Sequence, residues 1–259
     1  MIDLHSHILP GLDDGPRTMA GSLDLARAAV DTGTTTILAT PHINDYARID
    51  PPLIAATLEE LRAALAEADI PLEVLPGGEI AIWRLVDLDD ETLRGLALGG
   101  GPYLLVESPF SPAVGDFEPM VLDLHARGFR VLLAHPERCP AFQREPARLE
   151  HLVEAGVLLQ ITAGSMAGAF GSTVRRFTTA MLREGVAHVV ASDAHDHVQR
   201  PPGLKIGFPA VERDLPGIVH HARWLTEVVP RAVLDGAPLP PRPPLPRPAG
   251  LLRRLGLRA

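Results

Sequence analysis

Apolar residues recur along this chain in one order: an amphipathic stretch at helical spacing, a glycine, then a short run of leucine or β-branched residues. Residues 22–32 end at Gly33 and lead into Thr34-Thr35-Thr36-Ile37-Leu38-Ala39. Residues 117–127 end at Gly128 before Phe129-Arg130-Val131-Leu132-Leu133-Ala134. Residues 148–155 end at Gly156 before Val157-Leu158-Leu159-Gln160-Ile161, and Gly185 precedes Val186-Ala187-His188-Val189-Val190-Ala191. Glycine just past a helix is the favoured left-handed stop, and near-continuous apolar runs suit strands buried on both faces. Such alternation implies a parallel sheet.

Residues 2–4, 72–75 and 103–106 add further runs, about seven candidate strands in all. No Gly-x-Gly-x-x-Gly follows any of them, which favours a barrel over a dinucleotide-binding open sheet, with an open doubly wound sheet as the alternative. The first helix is expected to start near Thr18, whose hydroxyl can cap it, and to bury Leu23, Ala26, Ala29 and Val30. The second is expected over residues 52–68, with Ile54, Leu58, Leu61 and Leu65 inward.

Polar residues cluster where these strands end. The runs lead into Asp3-Leu4-His5-Ser6-His7, Thr40-Pro41-His42, Gly77-Gly78-Glu79, Glu107, His135-Pro136-Glu137-Arg138 and Ser192-Asp193-Ala194-His195. Active sites of parallel barrels assemble at the C-terminal strand ends. His5 and His7 are two apart, so on an extended strand both imidazoles face one side, as do Asp193 and His195. Burying so many ionisable groups together is costly unless cations neutralise them, and mixed imidazole and carboxylate donors suit zinc, manganese or iron. The remaining histidines, His125, His151, His188, His197, His220 and His221, read as packed or solvated side chains.

Composition removes other classes. The 259 residues carry 32 acidic and 24 basic side chains, 11 His and the single Cys139, so a disulfide scaffold is excluded. The net charge of −8 argues against a general nucleic-acid binder. No run reaches the ~18 apolar residues of a membrane span, and the first residues lack a basic start followed by an apolar stretch. A cytoplasmic enzyme is expected. Cys139 is followed by Pro-Ala-Phe-Gln-Arg144, one residue short of a cysteine-phosphatase loop, and there is no Gly-x-Ser-x-Gly elbow, phosphate loop or His-Glu-x-x-His.

Asp3-Leu4-His5-Ser6-His7 with Leu12-Asp13-Asp14-Gly15, Ala39-Thr40-Pro41-His42, Pro76-Gly77-Gly78-Glu79-Ile80, Leu105-Val106-Glu107, Ala134-His135-Pro136-Glu137-Arg138, Gln160-Ile161-Thr162-Ala163-Gly164-Ser165 and Ala191-Ser192-Asp193-Ala194-His195 together resemble the polymerase-and-histidinol-phosphatase (PHP) superfamily. Within it they are similar to the bacterial manganese-dependent tyrosine-protein phosphatases of capsular and exopolysaccharide gene clusters. The resemblance runs from the first residue to about Arg200 and implies an α/β fold, a distorted (β/α)7 TIM-like barrel, with three divalent ions, manganese first and iron or zinc as alternatives. It implies that His5, His7, Glu79 and Asp193 hold one ion, with Glu79 bridging to a second on Glu107 and His135. Asp14, His42 and His195 would hold the third. Arg138 and Arg200 are the candidates for the phosphate oxygens, since a guanidinium fork matches them. The implied substrate is a phosphotyrosine protein, a bacterial tyrosine autokinase tail governing capsule or exopolysaccharide synthesis.

Three alternatives stand beside this reading. Another PHP phosphoesterase would act on histidinol phosphate or a nucleotide. An amidohydrolase or lactonase usually needs a bridging carboxylated Lys, and the sole Lys205 lies past the last motif. A structural metal protein would be expected to use thiolates. Residues 1–235 are read as the barrel and 236–259 as a flexible tail, with five Arg, no acid and seven prolines between Pro238 and Pro248. Those five Arg leave −13 on residues 1–235. Weak peripheral membrane association through the tail is a second reading of it.

Overall fold

The computed structural model describes residues 1–46, 49–110 and 117–244. Nine parallel strands are present among them: β1 (Ile2–Ser6), β2 (Thr36–Ala39), β3 (His42–Ile43), β4 (Glu73–Pro76), β5 (Glu79–Ala81), β6 (Tyr103–Glu107), β7 (Arg130–Ala134), β8 (Leu158–Thr162) and β9 (Val189–Ala191). Two arcs form, in the orders β1-β2-β4 and β3-β5-β6-β7-β8-β9. The chain of β2 resumes as β3 after Thr40-Pro41, and that of β4 as β5 after Gly77-Gly78. These breaks carry two strand positions from one arc into the other.

The seam between β9 and β1 is closed by a bridge at Ser6 and Ala194, by His7 N–H to Ala194 O at 2.8 Å and by Asp193 N–H to His5 O at 2.9 Å. The buried Asp3 carboxylate reinforces it, accepting from Ser192 N at 3.0 Å. Seven strand positions therefore close into a distorted barrel, with helices between most of them. Leu4, Ile37, Ile80, Leu105, Leu132 and Leu159 are fully buried in its core, and truncating one of them to Ala should cost about 2–5 kcal/mol.

The expected strands are present with ends shifted by one to three residues; β3 and β5 were not expected. Two and three residues after a proline or a glycine pair carry too little pattern to read. Helix α1 (Met19–Asp31) is capped by Thr18 as expected, but buries Ser22, Leu25, Ala26 and Ala29. The apolar stripe is turned, leaving Leu23 and Val30 only partly buried at its flanks, because the small Ser22 packs inward. Helix α2 (Pro51–Glu67) starts after the Asp50 cap and buries Ile54, Leu58, Leu61 and Leu65 as expected.

The first residues of the segment read as a free tail pack on the barrel. Leu239 lies against the core, Trp224 Nε1 donates to Pro240 O at 3.4 Å, and Arg242 Nη2 donates to Leu182 O at 2.9 Å. The rest of the expected tail, residues 245–259, lies outside the described residues. Among the described residues no helix is long and apolar enough to cross a membrane.

Candidate metal centre

Strand register brings the polar ends together. His42 stands beside Glu79 on β3 and β5, Ala81 beside Glu107 on β5 and β6, and Glu107 beside Ala134, which precedes His135. At the ends of β7 and β9 the backbone turns through the left-handed region at His135 (φ 33°) and Asp193 (φ 53°). A non-glycine residue there costs about 1–3 kcal/mol, and such strain concentrates at functional sites.

All nine residues expected as ligands meet at this mouth. Four overlapping groups have donor atoms within 4.8 Å of one another: His7, Asp14, His42 and His195; His5, His7 and Asp193; His5, Glu79 and His135; His42, Glu79 and Glu107. His42 thus belongs to two groups rather than one. Glu107 groups with His42 and Glu79, and its Oε1 also lies 3.9 Å from His135 Nε2.

The donor chemistry fits a cation. His7 Nδ1 lies 2.7 Å from Asp13 Oδ2, and a carboxylate only accepts, so Nδ1 donates and the Nε2 lone pair points into the cluster. There Nε2 faces His5 Nε2 at 3.3 Å, Asp193 Oδ1 at 3.4 Å and Glu79 Oε2 at 3.5 Å. Lone pairs aimed at buried carboxylate oxygens repel unless a proton or a cation lies between them. His42 Nδ1 approaches Glu79 Oε2 to 2.9 Å and His195 Nε2 approaches Asp14 Oδ1 to 3.2 Å, yet neither pair is aligned as a hydrogen bond. Atoms arranged so are placed for a shared third partner.

The electrostatics show the same strain. Burial opposes charge on His7 and His42, but neighbouring carboxylates outweigh it: Asp13 foremost raises His7 to about 9, and Asp14 and Glu79 raise His42 to about 11. Burial and then repulsion from Glu79 push Glu107 up to about 7. Burial and the Arg138 charge hold His135 down near 4. Although burial works against ionisation of Glu79 and Asp193, the surrounding imidazoles keep both carboxyls well below the ordinary range. The adjacent His195 and His42 rings lower that of the exposed Asp14.

Arg138 and Arg200 converge on one atom. Arg138 Nη1 donates to Asp193 Oδ2 at 2.6 Å, and Arg200 Nη2 donates to the same oxygen. Glu137, which could have neutralised Arg138, is instead fully buried. It accepts from Thr162 N at 2.9 Å, Thr162 Oγ1 at 3.0 Å and Ser165 Oγ at 2.7 Å, fixing the turn that holds His135 and Arg138.

Sequence reasoning passed over several supporting residues. Asp13 orients His7 and accepts from His42 N at 3.0 Å, and Gln160 Oε1 accepts from His5 Nδ1 at 3.0 Å. Second-sphere acceptors of this kind fix the tautomer and raise donor basicity. A signal existed for Gln160, the one polar residue in the apolar run 157–161. For Asp13 the sequence offered only its place beside Asp14, the residue expected as the ligand.

Fold and site together define a class: a parallel β/α barrel whose C-terminal mouth gathers imidazoles and carboxylates arranged for divalent cations. The chain belongs to the capsular polysaccharide synthesis family CpsB/CapC, which it matches over residues 1–219. It is 42% identical over 197 residues to the tyrosine-protein phosphatase YwqE of Bacillus subtilis, covering 76% of this chain and 78% of that one. It is 27% identical over 221 residues to the tyrosine-protein phosphatase CpsB of Streptococcus agalactiae, covering 83% and 90%. A crystal structure from work on YwqE of Bacillus subtilis and CpsB of Streptococcus pneumoniae, described as metal-dependent tyrosine phosphatases, superposes with a TM-score of 0.83 at 37% identity, covering 96% of this chain and all of that one. A β-aspartyl dipeptidase of Fervidobacterium islandicum, with TM-score 0.59 and 12% identity over 90% of this chain and 72% of its own, shares the barrel alone. Family membership agrees with the PHP resemblance.

Proposed function

We propose that this protein is a metal-dependent protein-tyrosine phosphatase. The observation that carries the reading is the convergence of nine imidazole and carboxylate donors beside two arginines, in a family whose relatives bear that name. His5, His7, Asp14, His42, Glu79, Glu107, His135, Asp193 and His195 would hold three divalent cations, manganese first. Nine donors shared so give each ion three or four protein ligands, with positions left open. Bound there, the cations would supply positive charge to the phosphoryl oxygens and acidify the attacking water.

The rest is the chain's own contribution. Arg138 and Arg200, brought side by side at Asp193, hold the non-bridging oxygens with their forks. Gln160 and Asp13 keep the His5 and His7 donors facing inward. The phenol leaving group has a pKa near ~10, so it departs with little protonation and the site needs no dedicated general acid. The proposed substrate is the phosphotyrosine tail of a bacterial tyrosine kinase, in the cytoplasm, in capsule or exopolysaccharide synthesis.

Metal-stripped protein reconstituted separately with manganese, zinc, iron or magnesium tests the substrate class. Phosphate release is expected from a phosphotyrosine peptide, with little from a phosphoserine peptide or histidinol phosphate and no lactone opening. Preferential turnover of histidinol phosphate or a lactone would overturn the reading.

A further inference from the structure

One aromatic ring at the mouth is left half uncovered by its own contacts. Phe110 lies three residues past Glu107 at the end of β6, and Ser108 Oγ donates to Ala134 O at 3.0 Å, tying this loop to the end of β7. The Phe110 ring lies nearly parallel to the His135 ring, at 16° with centroids 5.5 Å apart. The Arg138 guanidinium carbon stands 4.9 Å from the Phe110 ring and 4.3 Å from the Phe170 ring, so the arginine is held between two aromatic faces. With these contacts made, Phe110 remains 45% exposed.

We propose that Phe110 selects aryl over alkyl phosphate esters by stacking on the ring of the leaving group. This deepens the phosphatase reading above and rests on it. A phosphoryl group held by Arg138 and Arg200 sets the ester's first carbon one P–O–C link outward. In an aryl ester that carbon opens into a flat ring beside the uncovered part of Phe110; in a serine ester it is a single methylene. Paired aromatic rings prefer offset or edge-on contact, and such a pair corresponds to roughly two- to tenfold in binding beyond the apolar area it buries. The same ring braces Arg138, so its two effects must be separated by substrate.

The test compares kcat/KM for phenyl phosphate with that for a fluorinated alkyl phosphate whose alcohol is as acidic as phenol, using manganese-loaded protein. Matching the leaving groups removes intrinsic reactivity and leaves recognition. In Phe110→Leu, and in Phe110→Met as a second non-aromatic variant, the aryl-to-alkyl ratio is expected to fall about two- to tenfold, chiefly through KM for the aryl ester. Phe110→Trp should keep the ratio. Phe170→Leu, which uncovers only the other face of Arg138, should lower both esters together. The ratio of Kd values for phenylphosphonate and ethylphosphonate should shift in Phe110→Leu as the kinetic ratio does. If Phe110→Leu and Phe110→Met lower both esters in equal proportion, Phe110 only braces Arg138 and the inference is overturned. Failure of the unsubstituted protein on both esters would overturn the phosphatase reading and this inference with it.

Discussion

Asp13 and Asp14 are neighbours in sequence with different partners. Asp14 reaches the exposed side of the cluster beside His42 and His195, whereas Asp13 turns back to hold His7 Nδ1 and the His42 amide. Asp13→Asn removes the charge that keeps the His7 donor aimed inward, and a lost outer partner of a ligating histidine typically costs about 10–100-fold in metal affinity. Isothermal titration with manganese should show that weakening, with kcat largely recovered at saturating metal. Gly15 sits so close behind His7 that an added Cβ would lie 2.0 Å from the His7 carbonyl oxygen. Gly15→Ala must therefore displace the Asp13–Asp14 loop, and a drop of at least tenfold in kcat/KM is expected in a steady-state assay. The shared face of His5 and His7 and of Asp193 and His195 was legible from their two-residue spacing, whereas the full ligand set followed only from the PHP resemblance. The role of Glu137 was not legible, because its partners lie more than twenty residues away, Thr162 at the end of the next strand and Ser165 in the turn of helix that follows it.

At the scale of elements, glycine stops and buried apolar runs made the seven strand positions readable. The transfer between arcs at Thr40-Pro41 and Gly77-Gly78 was hidden, since it depends on which neighbour a two- or three-residue segment finds. The face of α1 was hidden similarly: Leu23 and Val30 match the helical period as well as Leu25 does, and only packing against the barrel chooses. Beyond the last barrel strand, Arg242 donates to Leu182 O and stacks over Trp224, 5.5 Å from the ring. Its charge sits in partly buried surroundings that lower its pKa. Arg242→Ala is expected to destabilise the protein by about 1–2 kcal/mol, or roughly 2–8 °C in Tm, without changing kcat. Calorimetry beside an activity assay checks both halves.

Over the whole molecule, an acidic chain can present a cationic pocket. Three divalent ions would carry the formal charge from −8 to −2, with the positive charge concentrated at the mouth where phosphate enters. In the metal-free protein protons take the ions' place. His7 is raised from 6.5 to about 9, so the stability it contributes is fully present below pH ~6.5 and is lost as pH rises through 9. Glu107, raised to about 7, loses its contribution as pH rises through 7. The Tm of metal-free protein should therefore fall between pH 6.5 and 9.5. Manganese binding should release protons and tighten over that window, because the ligating imidazole must be neutral. A metal-free Tm that rises across it would contradict this assignment.

The most direct test of the central claim is one titration: stripped protein, stepwise manganese, and both bound metal per chain and phosphate release from a phosphotyrosine peptide read at each step. Activity should be absent without metal, rise with occupancy, saturate near three ions per chain, and vanish in His135→Ala that still folds. Full turnover by metal-free protein, or by folded His135→Ala, would contradict the account.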